Sequence, residues 1–160
     1  MNAKKIMKKI NNKNLKKALS KFTTGVTIVT INNKQNLYGK TINSFTSLSL
    51  SPPLVLFSLA KTSSKLELYK KAKLLTINVL SKNQKLIAVN FAKKNFSWKN
   101  IKFILNNDGN PILNNCVSNF ECSVVDKINK GDHTIFICEV LKVLYNGKLK
   151  PLIYFNSKYL

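Results

Sequence analysis

His133 is the sole histidine of the chain, and it follows a glycine and an acid in Gly131-Asp132-His133. Imidazole changes charge near neutral pH and can donate or accept through either ring nitrogen. A neighbouring carboxylate can orient it, and a glycine permits a sharp turn beside it. No serine–histidine–acid arrangement is readable around His133, so the chemistry indicated is positioning or polarising a ligand rather than nucleophilic attack. A lone histidine at a strand start is also commonly structural. A second dense group spans residues 41–51: Thr41, Asn43, Ser44, Thr46, Ser47, Ser49 and Ser51. Such hydroxyls and amides, with loop N–H groups, can bind an anion or the edge of a polar heterocycle. The plainer alternative is a turn. Neither Gly-x-Gly-x-x-Gly nor a P-loop occurs.

These groups need elements to place them. Residues 1–22 are expected to form a lysine-rich helix with Ile6, Ile10, Leu15, Leu19 and Phe22 as an apolar stripe, packed on the domain. Its alternative role is a membrane-surface anchor. The β-branched run Gly25–Ile31 and the segment Tyr38–Ile42 form a hairpin across a polar turn at 32–36. Residues 43–53 are expected to be a loop, because Pro52 and Pro53 lack N–H donors. Strands follow at Leu54–Leu59 and Leu74–Leu80, with a helix between them, capped by Ser63 or Ser64 and running to Ala72. Ser81 caps another helix whose apolar side is Leu86, Ile87, Val89 and Phe91. Residues 93–110 form a long loop containing Trp98. The last strands are Val117–Val125, one from Gly131-Asp132 through Leu144, and Leu152–Phe155. Without regular β–α–β alternation, the expected fold is mainly β: a small, largely antiparallel barrel with short inserted helices.

Composition narrows the function classes. The 160 residues suit one domain, and 44% hydrophobic content suffices for a core. No apolar run approaches the roughly 20 residues that span a bilayer. No apolar segment or cleavage site follows the basic N-terminus as in a secretory signal, so a cytoplasmic protein is expected. Cys116, Cys122 and Cys138 are an odd set without a C-x-x-C pair, read as reduced buried thiols and not as a metal site. A net charge of +21 raises the possibility of nucleic-acid or anionic-membrane binding. The chain, however, has no arginine, the preferred bidentate phosphate and base reader. Its lysines are dispersed, and abundant Lys, Asn and Ile together match AT-rich coding. No specific nucleic-acid partner is expected.

Three segments in order resemble the short-chain flavin reductase family, with its FMN-binding split barrel. They are Phe22-Thr23-Thr24-Gly25-Val26-Thr27-Ile28-Val29-Thr30, then Thr41-Ile42-Asn43-Ser44-Phe45-Thr46-Ser47-Leu48-Ser49-Leu50-Ser51-Pro52-Pro53, then Gly131-Asp132-His133-Thr134-Ile135-Phe136 with Pro151-Leu152-Ile153-Tyr154-Phe155. The resemblance implies a split β-barrel over residues 23–160, a homodimer, and flavin near the subunit interface. It implies hydride transfer from NADH or NADPH to FMN or FAD, with reduced flavin passing to a partner monooxygenase or another acceptor. Thr41, Ile42, Asn43 and Ser44 are then expected along the flavin ring. Ser47, Ser49, Lys61, Ser63 and Ser64 are expected at the ribityl and phosphate end. Phe91 and Ala92 would lie close by, Tyr154 would cover the stacked rings, and Asp132 and His133 would face the nicotinamide. Related chains often finish with an arginine-rich segment where this one has Asn156-Ser157-Lys158-Tyr159-Leu160, which bears on FMN against FAD. Rival readings are an FMN-binding split barrel without efficient turnover, a pyridoxamine-phosphate-oxidase-like flavoprotein, and a basic nucleic-acid or membrane-surface protein.

Overall fold

The computed structural model describes residues 9–160. Ile6 of the expected stripe lies outside the described residues. Helix α1 covers Asn12–Leu19, with the Asn11 side chain accepting from the Asn14 N–H at its start. It buries none of its residues, and Leu15, Leu19 and Phe22 are 42%, 62% and 75% exposed. The apolar stripe is thus present but not covered by its own chain. The helix end is tied by the Asn156 N–H to the Ser20 carbonyl and by the Lys21 ammonium to the Asn156 side chain.

The remainder is built on β1 (Thr24–Gly25), β2 (Thr27–Asn33), β3 (Asn36–Ile42), β4 (Thr46–Leu50), β5 (Pro53–Ala60), α2 (Leu66–Lys71), β6 (Leu74–Val79), α3 (Lys85–Ala92), β7 (Phe103–Leu105), β8 (Pro111–Leu113), β9 (Ser118–Lys130), β10 (His133–Tyr145), β11 (Ile153–Phe155) and β12 (Lys158–Tyr159). A seven-stranded sheet runs β3-β2-β6-β9-β10-β5-β4, every pairing antiparallel. A three-stranded sheet, β1-β11-β12, and the β7–β8 hairpin lie outside it.

Central strand β2 is buried on both faces, which its unbroken β-branched run permits. Because successive side chains alternate, Val29 and Ile31 enter one core while Val26 and Ile28 enter another. The first core joins Ile42 of β3 with Val55, Phe57 and Leu59 of β5. These strands are far apart in the sheet order, so the sheet curls until its two ends face each other. Phe57 and Phe136, paired across β5 and β10, stack with centroids 4.9 Å apart and reinforce that interior. The second core lies between β2, α3, Leu113, Cys116 and Leu152.

Several sequence-based boundaries shift. Residues 46–50, expected in a loop, form edge strand β4. Pro52 occupies the turn and Pro53 the first position of β5, where proline does not interrupt a ladder. The cap of α2 is Lys65, without a side-chain bond, rather than Ser63 or Ser64. Before α3 lies a short 3-10 turn, Lys82–Gln84, where the Ser81 N–H donates to the Gln84 side chain. The buried face is then Gln84, Ala88 and Phe91, while Leu86 stays 82% exposed and Val89 38%. The 93–110 segment is not all loop, since β7 lies within it.

Candidate functional site

The end of β3 must cross from the sheet toward β5, and the residues that follow it carry hydroxyls and an amide. The Ser44 hydroxyl bridges the gap. It donates to the Ser58 carbonyl and accepts from the Ser58 N–H, both at 3.0 Å. Through this clasp a side chain takes the place of ladder bonds just beyond the Thr46↔Leu56 end of the β4–β5 pairing. Thr41 is fixed by donation to the Ala88 carbonyl at 2.7 Å. Beneath this strand Gly39 lies against the Phe91 ring, so close that an added Cβ would stand 2.6 Å from it.

A cavity of about 500 Å³ opens over this crossing. Thr41, Ile42, Asn43 and Ser44 form one wall, and Ser58, Leu59 and Ala60 of β5 another. Thr62, Ser63 and Ser64 line it beyond β5, Ala92 and Lys94 close the α3 side, and Lys40 and His133 complete the lining. No carboxylate is among the lining residues, whereas Lys40 and Lys94 are. The donor set therefore suits an anionic ligand with polar ring edges. Asn43 also lines a groove of about 930 Å³ and a recess of about 220 Å³, and Tyr154 borders both.

His133 begins β10 opposite Ala60, which places the imidazole at the cavity edge. Its Nδ1 lies 2.7 Å from Asp132 Oδ1. An ionised carboxylate only accepts, so the Nδ1 proton is held in this contact and Nε2 remains for another partner. The hydrogen bond from His133 is the largest influence holding the Asp132 carboxyl below its usual range, followed by the histidine's charge. The thiols are elsewhere: burial pushes Cys116 up to about 11 and Cys138 up to about 12.

Residues 19–160 match the family described as flavin reductase like domain. The chain belongs to the flavin reductase-like family. An FMN reductase (NADH) of Agrobacterium fabrum is 37% identical over 135 residues, covering 84% of this chain and 78% of that protein. An NADH:FAD oxidoreductase of Streptomyces globisporus, solved with NAD and FAD fragments, superposes with a TM-score of 0.89 at 28% identity and covers 96% of each chain. The styrene monooxygenase flavin reductase of Pseudomonas putida gives a TM-score of 0.83 at 30% identity, over 92% of this chain and 96% of its own.

In this flavin reductase-like chain, the cavity gathers Thr41, Ile42, Asn43, Ser44, Ser63, Ser64, Ala92 and His133 from the residues singled out in the sequence. Asp132 stands behind His133. Tyr154 approaches through the small recess it shares with Thr41, Ile42, Asn43 and Ala92. Phe91 is fully buried beneath the site, against Phe96 and Trp98. Ser47 and Ser49 lie on β4 outside the cavity lining, and the Lys61 ammonium bonds the Gly131 carbonyl. The sequence reading missed Lys40, Ser58, Leu59, Ala60, Thr62 and Lys94 as lining residues. Ser58 and Ala60 could have been found from β5 itself, because alternation puts them on the face opposite Phe57 and Leu59. Lys40 and Lys94 could not be separated from the many other lysines.

Among the described residues, no helix is long and apolar enough to cross a membrane. No group of three or more His, Cys, Asp or Glu side chains among those residues is placed to hold a metal.

Proposed function

We propose that this chain is a nicotinamide-dependent flavin reductase that reduces FMN or FAD. The observation carrying this reading is the meeting of the Thr41–Ser44 wall, two lysines and the His133 edge around one cavity free of lining carboxylates. That donor set fits a flavin, whose ring edge offers carbonyls and an N–H and whose tail is anionic. The bound flavin would supply the hydride-accepting ring.

The protein's part is to bind and orient. Thr41, Ile42, Asn43 and Ser44 would hold the ring edge, with backbone groups serving where the Thr41 and Ser44 hydroxyls are already engaged. Ser63, Ser64 and Lys94 would face the ribityl and phosphate end. Ala92 lines the wall, Phe91 supports it from below, and Tyr154 shields the adjoining recess. His133, oriented by Asp132, would use Nε2 to position the nicotinamide carboxamide. Proximity of two flat rings requires no protein nucleophile.

A homodimer belongs to the same proposal. The uncovered Leu15, Leu19 and Phe22, with Leu19 and Phe22 bordering the large groove next to Asn43, supply an apolar surface for a second copy. Residues 23–160 would be the flavin-binding domain, and the basic N-terminal segment, of which α1 is the described helix, would pack across the interface. Reduced flavin would pass to a separate monooxygenase or similar acceptor, as the name of the Pseudomonas putida neighbour suggests. A cytoplasmic location suits such soluble reactants.

The test is loss of nicotinamide absorbance with NADH or NADPH, with and without FMN, FAD or riboflavin. Flavin-dependent oxidation is expected, falling at least about tenfold in His133→Ala. Tight FMN binding without oxidation would leave a flavin-holding split barrel. Neither binding nor oxidation would sink the proposal.

A further inference from the structure

The β9–β10 turn carries the imidazole, yet almost nothing packs against it. Gly131 and Asp132 are exposed, and apart from its own chain neighbours no heavy atom lies within 4 Å of where a Gly131 Cβ would be. Gly131 has a positive φ of 52°, a conformation that glycine adopts more readily than other residues. The turn is closed by the Lys130↔His133 pair of the β9–β10 ladder, and from outside that hairpin it is tied by Lys61, the first residue after β5. The Lys61 ammonium donates to the Gly131 carbonyl at 2.8 Å, and the Lys61 N–H donates to the Asp132 carbonyl at 2.8 Å. Asp132 Oδ1 then receives His133 Nδ1 at 2.7 Å. One lysine grips the turn by side chain and backbone, and the turn's acid grips the ring. The positive charge of Lys61 also helps keep Asp132 ionised, behind the larger influence of His133.

We infer that Lys61 is a positioning residue, whose ammonium fixes the Gly131-Asp132 turn so that Asp132 presents the His133 ring to the cavity. Its effect on turnover rests on the flavin reductase reading above, whereas its effect on the ring does not. An exposed lysine–carbonyl contact adds little to global stability, so the signature is in geometry and rate. The competing role for this ammonium is a flavin phosphate ligand, because Thr62, Ser63 and Ser64 follow it along the cavity lining. Riboflavin, which has no phosphate, separates the two roles.

The experiment compares wild type, Lys61→Met and Lys61→Arg in NADH oxidation with riboflavin and with FMN. A proton–carbon NMR spectrum of each protein is recorded alongside. With a single histidine, the ring Cε1–H signal belongs to His133. Lys61→Met is expected to lower kcat about tenfold with both flavins, with flavin KM changed less than about twofold. Its ring signal should shift, and its melting temperature should hold. Lys61→Arg, which keeps a charged donor, should restore both rate and signal. A loss confined to FMN and expressed as a raised KM would overturn the inference in favour of phosphate binding. An unmoved ring signal in Lys61→Met would overturn it as well. Absence of flavin-dependent oxidation in wild type would sink the reductase reading, and the ring signal alone would then decide the role of Lys61.

Discussion

Residues 41–44 and residues 46–50 are neighbours in sequence with nearly the same chemistry, and the fold gives them different work. In the first stretch Thr41 and Ser44 spend their hydroxyls on backbone carbonyls of other elements, Ala88 and Ser58, and the stretch forms a cavity wall. In the second, the β4–β5 register slips between Ser47 and Ser49, and the Ser49 hydroxyl accepts only the nearby Ser51 N–H. That stretch is a sheet edge that decorates a turn. Hydroxyl density therefore marks neither segment as a site. What separates them is what each borders: the first lines the cavity, and the second runs along the edge of the sheet.

The comparison can be broken most forcefully from below the first stretch. Gly39→Ala would drive a methyl into the Phe91 ring, which is fully buried and packed against Phe96 and Trp98. Overpacking of this kind costs about 3 kcal/mol at the upper end. For a chain of this size that is a fall of about 6–12 °C in melting temperature, measurable by thermal denaturation. A melt within about 1 °C of wild type would show that Phe91 moves freely.

Next in size is Ser44→Ala, which removes both hydrogen bonds to Ser58 and opens the barrel's clasp. An expected loss of about 1–2 kcal/mol follows from unpairing those groups, readable by urea denaturation. A higher KM for flavin should accompany it. Ser49→Ala should change stability by less than about 0.5 kcal/mol and raise KM less than Ser44→Ala does. Equal effects at the two serines would erase the distinction drawn between the segments.

The smallest expected effect is at low pH. Asp132 titrates below its ordinary 3.8, so its contribution to holding the turn is fully present above that value. It is lost as pH falls through the depressed value in the folded protein. The His133 ring signal should respond to this acid transition, and the response should vanish in Asp132→Asn. A signal indifferent to that substitution would place the ring under other control.

Much of the fold was legible because β-branched runs and alternation report burial directly, as in Thr27–Ile31 and Leu54–Leu59. The Gly131-Asp132-His133 turn was legible for a different reason, since a single histidine beside a glycine has few places to be. Strand β4 was hidden because the prolines that follow it, Pro52 and Pro53, signal a break without saying on which side the ladder resumes. The buried face of α3 was hidden because its larger apolar side chains, Leu86 and Val89, stay exposed while the small Ala88 takes the buried place between Gln84 and Phe91. Lys40 and Lys94 were hidden by abundance. In a chain with a net charge of +21, a lysine's type says nothing, and only its neighbours in space do.

Burial of the three thiols acquires a meaning beyond packing. Reduced flavin reacts with dioxygen, so an enzyme that releases it in air stands beside its own source of peroxide. Peroxide attacks thiolates that solvent can reach. Cys116, Cys122 and Cys138 are all buried and free, and burial pushes each thiol away from its reactive anion. The expectation is a protein whose cysteine masses stay unchanged after many turnovers in air, and whose thiols react with iodoacetamide only once it is unfolded. Oxidised cysteines in the native protein after turnover would refute it. The two apolar cores that hold these thiols would serve as the protein's antioxidant.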